Sequence, residues 1–379
     1  MAIYLIVFSI SSIFLYLSEK KKKRTELIIL EFIGITLIIL LAGLRNTNIG
    51  TDINVYVKPM YEYALSTKDI KKYFGYAING RKISEYEIGF TLIVFIFSKI
   101  FKNINILLLI ISALTIVPIF IGMKKYECIK GEHWLAMLVF DMMFFNISLN
   151  AMRQYIGIAF AFLSISMLLN EKNIIKCIGY FIIGCLFHKS IVLELFLIII
   201  YFYTSSKKFG NKTLKIGRMK IKIFRVLIFI EIAVIMLLLS KISLVKNWLG
   251  SAQGLERYSG YVGRNIEGLS ISIKAIPLIL LFILTAKKTR KEKNYGFFLN
   301  IFLFEYLIIN QIAGTTQYSS RIGYLFEIFN IIMIPTMCKK VQNKSKPMIY
   351  MMVLMYLTIY WWYYFAYLGY NQTVPYKFF

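Results

Sequence analysis

The chain has 379 residues, of which 58% are hydrophobic and 17% charged, and its formal net charge is +26. This composition excludes a soluble globular protein, because apolar runs of 14 to 23 residues recur from one end to the other. The excess of Lys and Arg would suggest nucleic-acid binding in a soluble protein, but in a membrane protein it is typical of cytoplasmic loops. We therefore expect an all-α, polytopic integral membrane protein with no nucleic-acid partner.

Apolar segments follow one another along the chain and are expected to form one polytopic domain over residues 1–379. They are Ile3–Leu17, Leu27–Leu44, Ile88–Phe101, Asn105–Met123, Trp134–Leu149, Ala151–Leu169, Ile174–Phe187, Ser190–Tyr203, Ile223–Val245, Ile271–Ala286, Phe297–Gln311, Ile322–Met337 and Met348–Tyr367. The first segment lacks a basic region and a small-residue cleavage site, so we expect an uncleaved span rather than a signal peptide.

The expected orientation follows from the loops richest in Lys and Arg, which are Lys20–Arg24, Lys207–Lys222, Lys287–Lys293 and Lys339–Lys346. Placing all of them in the cytoplasm leaves one segment too many, so one segment must not cross the membrane. Ile88–Phe101 has 14 residues, where a span needs about 20, and we expect an interfacial or re-entrant helix there. About 12 transmembrane helices then remain. Residues 45–101 form a large extracytoplasmic loop, residues 246–270 form a second one, and both termini lie outside.

The first outer loop begins with Arg45, directly after a hydrophobic helix, where a charged ligand could meet the membrane. Thr51 and Asp52 can cap a short helix that carries Tyr56 on the face next to the membrane surface. Glu87 precedes the short apolar segment and is expected to point into the protein. The alternative is an ordinary polar loop anchored by a snorkelling arginine.

Arg153 is expected in the first turn of a helix that Asn150 caps. A cation there is unfavourable beside the positive end of the helix dipole, unless an anion binds at the helix N-terminus. Gln154 follows directly and would face the same anion. The alternative for Arg153 is an interfacial anchor with its guanidinium in water.

His188 lies in a very short turn between two apolar segments, and Ser190 can cap the second of them. An imidazole has an ordinary pKa of about 6.5, so His188 could accept a proton or donate a hydrogen bond to a phosphate. The alternative is a boundary histidine that only binds a carbonyl group.

Two further arginines fall on the expected outer face. Arg257 and Tyr258 lie in the second outer loop, which its glycines make pliable, and Arg321 begins a later helix. Together with Arg45 and Arg153 they supply four planar, permanently charged donors, which suit a phosphate or a diphosphate.

The cysteines and histidines do not predict a metal site. Cys128, Cys177, Cys185 and Cys338 form no CxxC pair, and the chain has only 2 histidines. We therefore expect no protein-held metal and no cofactor.

Five stretches, in order, resemble the landmarks of the EpsG family. They are LRNTNIGTDINVY from Leu44, NAMRQYIGIA from Asn150, FHKSIVLEL from Phe187, ERYSGY from Glu256 and SSRIGYLFE from Ser319. This bacterial family of exopolysaccharide, capsule and O-antigen synthesis is related in role to Wzy-type polymerases. The resemblance implies a membrane glycosyltransferase that joins undecaprenyl-diphosphate-linked oligosaccharide repeat units, which would be both donor and acceptor. It also implies a bacterial cytoplasmic (inner) membrane location, with the active site facing outside.

The candidate residues named above can be assigned roles in this implied activity. Arg45, Arg153, Arg257 and Arg321 would hold the pyrophosphate, with Gln154, Tyr258 and Glu87 as further substrate contacts. His188 or Asp52 would act as the base on the acceptor hydroxyl. Membrane lipid, a flippase and a chain-length regulator are candidate partners.

Other classes remain open at the level of sequence. A flippase or other transporter would carry polar groups near the membrane midplane and often inverted repeats. A ligase or a lipid-phosphate-dependent glycosyltransferase would use the same donor chemistry and make Asp52 more important as the base.

Overall fold

The computed structural model describes residues 1–205, 213–216, 219–222, 268–305 and 317–379, and most of them are helical. The chain divides into two compact units. Unit 1 comprises residues 1–192 and 330–379, and unit 2 comprises residues 193–329. A single polytopic domain over residues 1–379 stays a prediction.

The described elements of unit 1 are long apolar helices and a short-helix region that interrupts them. They are α1 (Ala2–Glu19), α2 (Arg24–Gly43), α3 (Lys58–Ser66), α4 (Ile70–Gly75), β1 (Ala77–Ile78), β2 (Arg81–Lys82), α5 (Ile88–Ile100), α6 (Ile104–Met123), α7 (His133–Phe140), α8 (Asn146–Asn150), α9 (Met152–Ser166), α10 (Ile174–Phe187), and then, in chain order after unit 2, α15 (Asn330–Lys340) and α16 (Lys346–Trp361). Helical turns of the wider π type precede α3, join α7 to α8 and extend α9 and α16. Antiparallel strands β1 and β2 form a hairpin.

The described elements of unit 2 are helices and one further hairpin. They are α11 (Glu194–Ser205), β3 (Thr213–Ile216), β4 (Met219–Lys222), α12 (Gly268–Thr289), α13 (Tyr295–Phe304) and α14 (Gln317–Glu327). Strands β3 and β4 are antiparallel, with Thr213 opposite Lys222.

Five described helical stretches are long and apolar enough to cross a membrane. They are α1, α2, α6, Met152–Glu171 and Asn343–Tyr367. Helices α5, α10 and α13 are apolar but shorter, and the expected segment at 223–245 lies outside the described residues. The chain is therefore a helical membrane protein, and the number of twelve spans stays a prediction.

The segment between α2 and α6 begins and ends at the same end of unit 1. Asn105, at the start of α6, donates from Nδ2 to the carbonyl oxygens of Gly43 at 2.9 Å and Arg45 at 3.0 Å. Residues 44–103, which contain α5, thus begin and end beside the end of α2. We call this end of unit 1 the loop end. That residues 88–101 do not cross the membrane stays a prediction.

Polar contacts also join these helices away from the loop end. Lys124, after α6, pairs with the buried Glu31 of α2 at 2.7 Å. His133, the first residue of α7, contacts the last residue of α1 through its Nδ1 atom, 2.9 Å from the carboxylate of Glu19. Contacts away from the loop end thus join α6 to α2 and α7 to α1.

The C-terminal tail packs on the loop end. The Asn46 N–H donates to the carbonyl of Lys377 at 2.8 Å, and the Gly50 N–H donates to the carbonyl of Gln372 at 3.2 Å. These bonds satisfy backbone N–H groups of the segment that follows α2. The tail therefore holds the segment that carries Asp52.

Gly89 allows α5 to approach α10 closely. A Cβ atom at this position would lie 2.8 Å from the carbonyl oxygen of Leu186, closer than real Cβ contacts. The approach brings the residue before α5, Glu87, near the residue after α10, His188.

We expect Gly89→Ala to lower the free energy of unfolding by about 1 to 3 kcal/mol, because the backbones must separate to admit the methyl group. Thermal unfolding of the purified protein in detergent measures this. Gly179→Ala in α10 is the matched control, since nothing lies within 4 Å of its Cβ position, and it should be neutral or stabilising. Equal stability of the two variants would contradict the close approach.

Candidate active site

Arg153 lies at the centre of a polar and aromatic cluster at the loop end. The chain breaks at Ala151, between α8 and α9, so Arg153 falls in the first turn of α9. Its Nη1 pairs with the carboxylate of Glu87. The guanidinium carbon lies 4.6 Å from the ring centroid of Tyr56 and 5.0 Å from that of Tyr86. Two aromatic rings and a carboxylate therefore fix the guanidinium.

Glu87 is largely buried, directly before α5. Burial alone would raise the pKa of its carboxyl group, but the charges of Arg153 and His188 outweigh that effect and hold the pKa below its usual range. Glu87 is thus ionised near neutrality and is a poor proton acceptor. Its contribution to the cluster is to orient Arg153.

Tyr56 connects Arg153 to Asp52. The Tyr56 hydroxyl donates to Oδ2 of Asp52 at 2.6 Å. Burial, and then the negative charge of Asp52, raise the pKa of Tyr56 well above its usual range. Tyr56 therefore stays protonated and acts as a hydrogen-bond donor to the carboxylate.

Asn150 positions the segment that carries Asp52. Its Oδ1 accepts the Asp52 N–H at 3.1 Å and the Thr51 hydroxyl at 2.9 Å. Gly50 has φ +84° and lies so close that a Cβ atom would be 3.0 Å from the carbonyl oxygen of Leu149, a conformation that favours glycine. The sequence predicted Asn150 as the cap of α9; instead its side chain binds the segment that carries Asp52.

His188 follows α10 and folds back on Ser190. The Ser190 N–H donates to Nδ1 at 3.2 Å, and the Ser190 hydroxyl lies 2.7 Å from the same nitrogen. A backbone N–H can only donate, so Nδ1 is the acceptor and a neutral ring carries its proton on Nε2. In this geometry His188 offers an N–H donor at Nε2 rather than a lone pair. The Ser190 hydroxyl, which was predicted to cap the following helix, contacts the His188 ring.

Arg45 is buried at the loop end rather than open to a ligand, with 1% of its surface exposed. Its Nη1 donates to the carbonyl of Ala42, and its Nη2 donates to the carbonyl of Leu149 at 3.2 Å. These carbonyls lie at the C-terminal ends of α2 and α8, where the helix dipoles favour a cation. Burial lowers the pKa of Arg45 to about 10, which leaves it charged near neutrality.

The other predicted substrate contacts lie in different parts of the chain. Gln154 is buried in α9, next to Arg153. Arg257 and Tyr258 lie outside the described residues. Arg321 is exposed in α14 of unit 2.

Tyr86 and Arg81 are members of the cluster that the sequence analysis missed. The guanidinium of Arg81 lies 3.9 Å from the ring centroid of Tyr86. A signal was present, because Asn79-Gly80 between two short runs is a strong indication of a hairpin. Recognising the hairpin would have placed Arg81 on a defined element.

The described residues contain no group of three or more His, Cys, Asp or Glu side chains that could hold a metal ion. Cys128, Cys177, Cys185 and Cys338 form no disulfide within the described residues. The described cluster offers arginine, carboxylate, tyrosine and imidazole side chains.

Long apolar helices with a polar cluster at one end define a multi-pass membrane protein with a candidate site at the ends of its helices. The family model described as the EpsG family matches residues 28–378, nearly the whole chain. The protein therefore belongs to the EpsG family, and this membership suggests a polysaccharide polymerase. No curated protein and no solved structure matches the chain.

Proposed function

We propose that the protein joins undecaprenyl-diphosphate-linked oligosaccharide repeat units on the outer face of the bacterial cytoplasmic membrane. The observation that carries this proposal is the environment of Arg153. The guanidinium is held by Glu87 and by two tyrosine rings. Its Nε atom is buried and has no acceptor among the described residues. Such a rigid donor at a helix N-terminus suits a phosphate oxygen.

In the proposed reaction, the acceptor sugar hydroxyl attacks the anomeric carbon of the donor sugar. The hydroxyl proton passes to the carboxylate of Asp52, a glycosidic C–O bond forms, and the C–O bond to the lipid diphosphate breaks. The diphosphate leaves with the electron pair, and Arg153 stabilises its developing charge. Asp52 is preferred to His188 as the base, because the Ser190 N–H occupies Nδ1 of the imidazole. The Nε2–H of His188 would donate to a phosphate oxygen.

The remaining predicted residues have different roles in this proposal. Gln154, Arg257, Tyr258 and Arg321 are proposed as further substrate contacts. Arg45 is proposed as a structural cation that joins the ends of α2 and α8, because its guanidinium is already directed to backbone carbonyls. A flippase and a chain-length regulator remain proposed partners.

Cells that lack the gene test the proposed activity. A polymerase defect leaves single repeat units on the lipid carrier, and re-expression of the protein should restore a ladder of longer chains. Loss of outward-facing units would indicate a flippase, and accumulation of long chains without their final attachment would indicate a ligase. Polymer formation by the purified protein from lipid-linked repeat units would exclude both of these alternatives.

The proposed orientation predicts which single cysteines react from outside the cell. In a cysteine-free background, Thr67→Cys and Gln372→Cys should react with an impermeant maleimide, because both positions are expected outside. Arg290→Cys and Asn343→Cys should react only after the membrane is permeabilised. Reaction of Arg290→Cys in intact cells would overturn the orientation.

A further inference from the structure

The β1–β2 hairpin holds Arg81 beside the candidate site. Asn79 and Gly80 form its turn with φ +51° and +76°, the positive values that a tight two-residue hairpin turn requires. The Asn79 side chain donates to the carbonyl of Val55 at 3.0 Å, next to Tyr56. The hairpin is therefore attached to the segment that carries the Asp52–Tyr56 pair, and Arg81 begins its second strand.

Tyr86 lies between two arginines. The guanidinium carbon of Arg81 is 3.9 Å from the centroid of the Tyr86 ring, and that of Arg153 is 5.0 Å from the same centroid. The two guanidinium carbons therefore lie at most about 9 Å apart, and both lie within cation–π distance of the Tyr86 ring. Like charges at such a separation repel, and an anion between them would relieve the repulsion.

Arg81 and Arg153 each have a buried N–H donor with no acceptor among the described residues. The Nε atoms of Arg81 and Arg153 are buried and make no hydrogen bond within the described residues. A buried donor without a partner is costly, so a pair of them flanking one ring indicates a ligand that supplies acceptor oxygens. Arg81 also contacts Glu85, through the backbone carbonyl and through a carboxylate 3.9 Å from Nε. That carboxylate is half exposed and beyond hydrogen-bond distance.

One arginine does not balance the charge of a lipid diphosphate. Glu87 already neutralises Arg153, whereas a diphosphate ester carries at least two negative charges on two linked phosphate groups. We infer that Arg81 and Arg153 together form a diphosphate site around Tyr86, with one guanidinium directed to each phosphate group. This inference rests on the proposed function for the identity of the substrate, and it adds Arg81 as a binding residue.

Ligand binding without turnover tests the inference. The full-length protein in detergent is titrated with farnesyl diphosphate, farnesyl monophosphate and inorganic pyrophosphate, and the dissociation constants are measured by calorimetry. Arg81→Gln should weaken farnesyl diphosphate binding about tenfold or more, since a hydrogen bond to a charged group is lost. Farnesyl monophosphate, which Arg153 can hold alone, should be affected less. Arg81→Gln should weaken the binding of inorganic pyrophosphate as much as that of farnesyl diphosphate, because the proposed site recognises the diphosphate rather than the prenyl chain.

Lys82→Gln is the matched control. It removes the same charge from the next residue of the same hairpin, and Lys82 is exposed. Arg81→Lys, which keeps the charge but not the planar fork, should bind with intermediate affinity and checks that the loss is not misfolding. Unchanged diphosphate binding by Arg81→Gln, or an equal loss for Lys82→Gln, would overturn the site.

The binding assay is independent of polymer formation, so the two proposals fail separately. If Arg81→Gln binds the diphosphate as the parent does while the parent still makes polymer, only the Arg81 site is wrong. If diphosphate binding depends on Arg81 but the parent makes no polymer from lipid-linked repeat units, the site stands and the polymerase proposal is wrong.

Discussion

Arg153→Gln is expected to lower the free energy of unfolding by about 3 to 5 kcal/mol and to abolish polymer formation. The substitution leaves the buried carboxylate of Glu87 without its cation. It also removes the guanidinium that packs against Tyr56 and Tyr86. Chemical or thermal denaturation in detergent measures the first effect, and the yield of polymer from lipid-linked repeat units measures the second.

A second variant separates the structural role of Arg153 from its role on the substrate. The double variant Arg153→Gln with Glu87→Gln removes both charges, so it should recover most of the lost stability. It should recover no activity, because the donor proposed for the diphosphate is still missing. Activity in the double variant would show that Arg153 only neutralises Glu87.

The same ion pair predicts a pH dependence of stability. The pKa of Glu87 is held below its usual range in the folded protein, so the pair stabilises the fold fully above the unfolded pKa, about 4.3. That stabilisation is lost as the pH falls through the lower folded pKa. The stability difference between the parent and Glu87→Gln should therefore shrink on acidification below about pH 4.3. A difference that does not change with pH would contradict an ionised Glu87.

Local patterns in the sequence predicted several parts of the fold and of the site. The apolar runs located the long helices, and the polar segment after residue 44 located the region of the candidate site. The early position of Arg153 in a helix was also predicted from local sequence. These predictions succeed because a local helical geometry determines them. Asp52, by contrast, was predicted as a helix cap, but its side chain makes no capping hydrogen bond and accepts from the Tyr56 hydroxyl four residues later, because positions i and i+4 meet on a helical surface.

Contacts between distant segments were not predictable in the same way. Glu87 is 66 residues from Arg153, and nothing in either local sequence specifies that the two side chains pair. The sequence analysis placed Arg45 at an open helix mouth. In the structure two helix ends and Asn105 surround it. Both outcomes depend on how α2, α6, α8 and α9 pack, which periodicity alone does not determine.

The hydrogen-bond geometry of His188 favours one role over two others. Glutamine can place its amide nitrogen near the position of Nε2, whereas asparagine can place its amide oxygen near that of Nδ1. If the Nε2–H donates to a phosphate, His188→Gln should retain more activity than His188→Asn. If His188 only accepts the Ser190 N–H, the order should reverse.

A general base at His188 would give a third pattern, in which both variants lose activity about 10²-fold or more. Activity of the parent would then rise with pH through the ordinary histidine range, about pH 6.5.

We expect instead that Asp52→Asn causes the loss of about 10²-fold or more, because the carboxylate is the proton acceptor in the proposed step. The assay is polymer formation by the purified variants from pH 5.5 to 8.5, a window around the ordinary histidine pKa of about 6.5. Near-parental activity of Asp52→Asn, with both His188 variants inactive, would move the base from Asp52 to His188. The Ser190 N–H would then have to leave Nδ1 during the reaction, since the ring can accept a proton only on a nitrogen that has a lone pair.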